Sequence, residues 1–276
     1  MSNLKYLIPR LIRHFMPESM AHFIKKRGWI IKAGLETREP LAASTRYQKE
    51  LAEAGCSLNG KRILLFGYGG RFAVACALLD AGAGHIVLCE YNLQPDHRFN
   101  RNLLNKYGRY LDFNKGKLVP NTTYITLAHG DIRTLAKNRQ IESVDVVLSN
   151  SVFEHLDDVP GITNALASLT HQDGLHLHFI DLRDHYFKYP FEMLCYSERI
   201  WQNWLNPSSN LNRLRLWHYQ QIFSENFKEV NISILANDVE KFSIAKPRLQ
   251  PEYISCDITN DSAMVIKVLA FRPIPI

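Results

Sequence analysis

At 276 residues, with 46% hydrophobic and 22% charged side chains, the chain has the make-up of one large packed domain with decorations, which excludes a disordered tract. No run of roughly 18 residues is free of charge, and the apolar start is broken by Pro9, Arg10 and Arg13 with no small-residue cleavage site behind it, so neither a spanning helix nor a secretion signal is expected. Five scattered cysteines without a C-x-x-C pair exclude a disulfide framework and a zinc knuckle and point to a reducing cytoplasm. The net charge of +6 is local: residues 1–32 hold seven basic side chains against Glu18 alone, and the remaining 26 basic and 26 acidic side chains cancel. A charge confined to one apolar end suggests an anionic membrane surface or an acidic partner and argues against nucleic acid.

Leu4, Leu7, Ile8, Leu11, Ile12 and Phe15 recur at helical spacing, and a second apolar and basic segment runs from Met20 to Lys32, parted from the first by Pro17. A third helix, about Ser44 to Ala54, leads through Asn59-Gly60 into Arg62-Ile63-Leu64-Leu65-Phe66, an apolar run of the kind that forms a buried parallel strand. Residues 1–58 therefore read as an N-terminal helical extension and 59–276 as the main domain. Strands at 62–66, 85–90, 122–127, 144–149 and 174–181 alternate with helices near 71–81, 95–110, 132–138 and 160–170, the signature of an α/β fold with helices on both faces of a parallel sheet. An irregular aromatic stretch, about 182–215, follows the fifth strand with Tyr186, Phe187, Tyr189, Phe191, Tyr196, Trp201 and Trp204. A helix near 216–225 and strands at 228–236 and 263–271, separated by the polar segment 237–262, bring the sheet to seven strands.

Gly67-Tyr68-Gly69-Gly70 follows directly on the first strand and precedes a helix-compatible run, so its backbone can approach a ligand while the helix start supplies free N–H donors. Glu90 ends the second strand 23 residues after Gly67, near the spacing at which an acid meets ribose hydroxyls. NAD and an adenosyl cofactor fit these residues equally.

His129-Gly130-Asp131-Ile132 resembles the acidic turn by which class I methyltransferases hold the adenine amino group. Val144-Asp-Val-Val-Leu-Ser-Asn150-Ser-Val-Phe-Glu154-His155-Leu156 is similar to the fourth-strand motif of the family labelled type 11 methyltransferases. The resemblance spans residues 60 to 182. It implies a Rossmann-like, mostly parallel seven-stranded sheet with an antiparallel last strand, an acceptor-binding aromatic lid inserted after strand 5, and S-adenosyl-L-methionine held by Gly67, Tyr68, Gly69, Glu90, Asp131, Ile132 and Asn150. Two positions depart from the family pattern. Leu65 replaces the usual acid before the turn, and Arg71 displaces its third glycine and favours a phosphate-bearing ligand.

Methyl transfer is an in-line displacement that positioning largely supplies, with a base needed when the acceptor is a hydroxyl. His155, in the loop after the fourth strand, is the first candidate base, and His185, just after the fifth, is the second. Glu154-His155 also resembles part of a metal-ligand set whose further acid falls here at Ser151, while His176 and His178 share a strand face away from its carboxyl end; on that ligand count no metal is expected. The aromatic insertion, with Arg213 or Arg215, either shapes an acceptor pocket or closes the core. Similarity to bacterial methyltransferases of surface-polysaccharide assembly implies a small-molecule, saccharide or lipid-linked hydroxyl as acceptor. An NAD-dependent oxidoreductase and a non-catalytic methyltransferase-like binding protein are the rivals, and the basic N-terminus either rests on a membrane or packs on the domain.

Overall fold

The computed structural model describes residues 3–17, 20, 39–91, 93–206 and 210–275. The second N-terminal segment expected from the sequence, beyond Met20, lies outside them. Largely apolar runs form the strands β1 (Arg62–Phe66), β2 (His85–Glu90) and β6 (Val144–Asn150), buried nearly throughout, the partly buried β5 (Ile125–His129), and β7 (Thr170–Asp181), which is exposed over residues 171–173 and whose later part is buried. Two short strands, β3 (Leu111–Asn114) and β4 (Lys117–Pro120), pair as a separate hairpin, and β8 (Phe227–Asn237) and β9 (Ala263–Pro273) close the chain. The main sheet has seven strands in the order β5-β2-β1-β6-β7-β9-β8, with β9 antiparallel to both neighbours. This is the expected α/β sheet, its strand order reversing between β1 and β6.

Alternation along each strand distributes the core between two faces. Ile63, Leu65, Ile86, Leu88, Val146 and Leu148 point to one side, against helices α2 (Pro40–Glu53) and α3 (Ala73–Asp80). Leu64, Phe66, Val87 and Val147 point to the other, against α4 (Ile132–Lys137), α5 (Val159–Ser168) and α6 (Leu216–Ser224). A third cluster lies off the sheet, where Phe191, Leu194, Trp201 and Leu205 of the insertion meet Phe242, Leu249 and Tyr253. Helix α1 (Leu4–Phe15) joins it through Leu7 and Leu11. No helix among the described residues is long and apolar enough to cross a membrane.

Some expected boundaries move. The helix expected over 95–110 breaks into short turns, because Asp96 caps one of them and Asn100 turns its buried side chain back to the glycine turn. The strand expected at 122–127 begins later, at Ile125, after the turn made by Asn121. The polar segment 237–262 is not all loop: Asp238 caps a helix at Val239–Ala245 and Asp257 caps another at Ile258–Asp261. Within the aromatic stretch Phe191 and Trp201 are core, whereas Tyr186, Phe187 and Trp204 are exposed, and both arginines paired with it are structural. Arg213 is buried and bonds the carbonyls of Met193 and Tyr196 with Glu198 beside it. Arg215, fully buried, ties together the carbonyls of Leu182, Asp261 and Ala263, and burial lowers its pKa to about 10.

A buried polar chain crosses the sheet. Thr170 donates its hydroxyl to the Leu166 carbonyl (2.8 Å) and so accepts from His176 Nε2 (2.8 Å); His176 Nδ1 accepts from His178 Nε2 (3.2 Å), and His178 Nδ1 accepts from the Ser149 hydroxyl (2.7 Å). Both rings are fully buried, and desolvation holds their pKa values down, that of His178 to about 3. Every ring nitrogen is occupied, so this pair is a satisfied core element and not a ligand site.

Candidate functional site

The carboxyl ends of β1, β2, β5, β6 and β7 converge where the strand order reverses, the place at which open α/β sheets bind ligands. The turn after β1 needs its glycines for different reasons. At Gly67 (φ +77°) a side chain would collide with the Val152 isopropyl group, and at Gly70 (φ +75°) a Cβ would lie 2.6 Å from the Gln94 carbonyl oxygen. At Gly69 (φ +63°) a Cβ would meet nothing within 4 Å, so this residue opens onto free space. Asn100 holds the turn from behind: it donates to the Gly70 carbonyl (2.9 Å) and accepts from the Phe72 amide (2.9 Å). The Tyr68 ring is buried, stacks on Phe72 and reaches His129 Nε2 (3.2 Å), so at that position the turn presents backbone rather than a side chain. Arg71, the departure from the family pattern, lies over the Phe99 ring at 3.7 Å.

Glu90 accepts from the amides of Gly69 (3.1 Å) and Tyr91 (3.0 Å), which fixes its carboxylate at the lip of the turn with lone pairs to spare. Asp131 caps α4 through the Arg133 amide (2.9 Å), and Arg133 also binds it side on through Nε (2.9 Å) while reaching Asp158 (2.7 Å). The Arg133 hydrogen bonds hold the Asp131 carboxyl below the usual carboxylate range. Ile132, in the first turn of α4, is buried in the core. A ligand at Asp131 would therefore share the carboxylate with Arg133, a partner two residues away that the sequence reading passed over.

Asn150 ends β6, and its Oδ1 accepts from Arg46 of α2, whose guanidinium stacks on Phe179 at 3.6 Å. Arg46 carries no sequence signal, since only the fold brings it across from the N-terminal helix. Ser151 follows with φ +55°, a sparsely populated conformation for a residue with a side chain and one that concentrates at functional sites. The next turn holds Phe153, Glu154 and His155. Asn212 clamps it by donating to the carbonyls of Phe153 (2.7 Å) and Leu156 (3.1 Å), and Asn210 donates to that of His155 (2.7 Å).

The pairing of Asn150 with Phe179 sets the turn after β6 beside the turn after β7. As a result the two histidines singled out in the sequence, 30 positions apart, meet with ring centroids 4.9 Å apart. Burial, then the neighbouring His155, lowers the His185 pKa to about 4. Glu154 is 3% exposed, neither carboxylate oxygen makes a hydrogen bond, and burial pushes its pKa well above the usual range. Next to His185, Asp184 is fully buried and receives the Tyr6 hydroxyl and Arg10 of α1, so the N-terminal helix is anchored at the rim of the site.

No family model matches the chain, and no curated protein matches it significantly. Solved structures match along nearly its full length. A candidate sarcosine dimethylglycine methyltransferase from Galdieria sulphuraria aligns with TM-score 0.53 at 14% identity, covering 93% of this chain and 98% of its own. The Haloferax volcanii Trm112 methyltransferase activator in complex with a candidate methyltransferase gives TM-score 0.51 at 15% identity, covering 96% and 99%. Magnesium protoporphyrin IX methyltransferase from Synechocystis PCC 6803, with SAH bound, gives 0.50 at 12%, covering 96% and 98%. The fold is that of the class I methyltransferases.

Proposed function

We propose that the chain is an S-adenosyl-L-methionine-dependent O-methyltransferase acting on a small-molecule, saccharide or lipid-linked hydroxyl. The observation that carries this reading is the open face of Gly69 beside the fixed Glu90 carboxylate, a cradle for an adenosyl ligand at the strand-order reversal. Gly67 and Gly69 would line the cofactor with backbone, Glu90 would accept the ribose hydroxyl protons, Asp131 and Ile132 would flank the adenine, and Asn150 would face the reacting end. The cofactor supplies a methyl group already activated by its sulfonium. What remains for the protein is to hold the acceptor in line and to deal with its proton. His155, with His185 behind it, stands where that proton leaves.

In this reading residues 59–276 form the transferase domain, 182–215 face the acceptor, and 1–58 extend it towards a cytoplasmic membrane surface. Helix α1 turns Leu4, Ile8, Ile12 and Phe15 outwards, next to the half-exposed Trp204, while Leu11, Ile12, Phe15, Met16, Pro17 and Met20 line an open apolar cleft of about 470 Å³. Calorimetry with SAH tests the central claim. Binding is expected, with NAD giving no heat; NAD bound and SAH not would replace the transferase by an oxidoreductase.

A further inference from the structure

Glu154 is an unusual residue to bury. A carboxylate out of water needs hydrogen bonds or a cation, and here both oxygens lack a partner although the side chain is 3% exposed and lies against the partly buried His155 and His185. The two side chains that face it are imidazoles. Donor atoms of Glu154, His155 and His185 all lie within 4.8 Å of one another. The nearby guanidinium groups are already engaged: Arg183 grips Asp181 through Nε (2.8 Å) and a terminal nitrogen (2.6 Å), and Arg10 is paired with Asp184. Arg183 favours the charged form of Glu154 through space, but its guanidinium hydrogen bonds go to Asp181, and neither guanidinium hydrogen-bonds the Glu154 carboxylate.

We propose that Glu154, His155 and His185 bind one divalent transition-metal ion, zinc or a near neighbour in the series. Two imidazole nitrogens and one carboxylate suit an ion of intermediate softness, whereas magnesium and calcium call for an oxygen shell. Bonds of about 2.1 Å draw donors to roughly 3–3.5 Å from each other, a contraction of an ångström or so that side-chain rotation of two half-buried histidines accommodates. Three protein ligands leave at least one position open, the arrangement of reactive rather than structural sites. The open position faces the cleft between the turns after β6 and β7, where an acceptor oxygen would stand. His155 then acts as a ligand, and the hydroxyl gains its acidity by coordination. This last role rests on the methyltransferase reading; ion binding itself does not.

The test uses the full chain after treatment with a chelator, titrated separately with Zn²⁺, Co²⁺, Mn²⁺ and Mg²⁺. One Zn²⁺ or Co²⁺ per chain is expected, with cobalt absorption bands of low coordination number and no Mg²⁺ binding at the same concentrations. Glu154→Gln and His185→Ala should each weaken Zn²⁺ binding by roughly a hundredfold, since each removes one of three ligands. Glu154→Gln, which keeps the shape of the side chain where burial already disfavours the charged carboxylate, should melt no lower than the unsubstituted chain in chelator and should lose the rise in melting temperature that Zn²⁺ gives the latter. Absence of Zn²⁺ and Co²⁺ binding, or binding that both variants retain, overturns the site. SAH calorimetry on the metal-free chain keeps the two readings apart, because SAH binding without ion binding removes only the metal, and ion binding without SAH removes only the transferase.

Discussion

Replacing Gly69 by alanine separates ligand binding from folding in a way that the same change at Gly67 cannot. Both residues hold positive φ, so an alanine at either costs about 1–2 kcal/mol of backbone strain. At Gly69 nothing lies within 4 Å of the new Cβ, and strain is the whole effect on folding. At Gly67 the methyl group drives into Val152, and overpacking adds about 1–3 kcal/mol. For a chain of this size each kcal/mol moves the melting temperature by about 2 °C, so Gly69→Ala should melt roughly 2–4 °C low and Gly67→Ala roughly 4–10 °C low. Ligand affinity should follow the opposite order of interest: the Gly69 methyl group points into the space assigned to the cofactor, and SAH should bind it about tenfold to a hundredfold more weakly, or 1.4–2.7 kcal/mol. Val152→Ala in the Gly67→Ala background supplies the check on geometry, with a favourable coupling of about 0.5–3 kcal/mol in a double-mutant cycle. Unchanged SAH affinity in Gly69→Ala, or strict additivity at Gly67 and Val152, refutes the placement of the ligand or the reading of the turn, respectively.

Three further outcomes are expected. His176 and His178 are protonated in the unfolded chain near pH 6.5 but in the folded chain far lower, about pH 3 for His178, so the unfolded state binds more protons across that window. Stability should hold above pH 6.5 and fall as the pH drops below it, by up to about 1.4 kcal/mol per pH unit for each ring; an imidazole NMR titration with a midpoint near 6.5 for either would refute this. Tyr6→Phe leaves the buried Asp184 short of one hydrogen bond and should cost about 1–3 kcal/mol in urea unfolding, with faster proteolysis in α1; an unchanged midpoint would mean that the helix is held by its apolar contacts alone. Ile8→Asp and Ile12→Asp together, at sites more than half exposed, should alter stability by only about 0.5 kcal/mol each while abolishing sedimentation with anionic vesicles, and equal pelleting of the double variant would remove the membrane from the reading.

What could be read from the sequence follows the range of the forces involved. Arg62–Phe66 and the glycine turn behind it are local, and the four ordered motifs reached the fold because each marks the end of a strand. The β3–β4 hairpin stayed hidden because its two-residue connection, Lys115-Gly116, adopts positive φ at both positions without the usual Asn-Gly cue, and the residues before it look helical. Asn100 was read as an ordinary helical residue, although it is the clamp on the turn. Arg46 at Asn150, and His185 at Glu154, come from segments 104 and 31 positions away, and only α2 packing and β6–β7 pairing bring them in. The ligand count made on the sequence could include only the adjacent Glu154 and His155, because His185 comes beside them through the β6–β7 pairing alone.

The hydrogens along Ser149, His178, His176 and Thr170 all point the same way and end on a backbone carbonyl within α5. A row of hydroxyls and imidazoles beside a candidate reaction centre has the look of a proton wire, yet a wire must pass on what it receives, and the Leu166 carbonyl has no proton to release. Reversing the row would require both tautomers and both hydroxyl rotors to switch together inside a dry core. It is therefore an insulator. It fixes the end of β6 one residue before Asn150, and any proton set free in the cleft has to depart by the cleft itself.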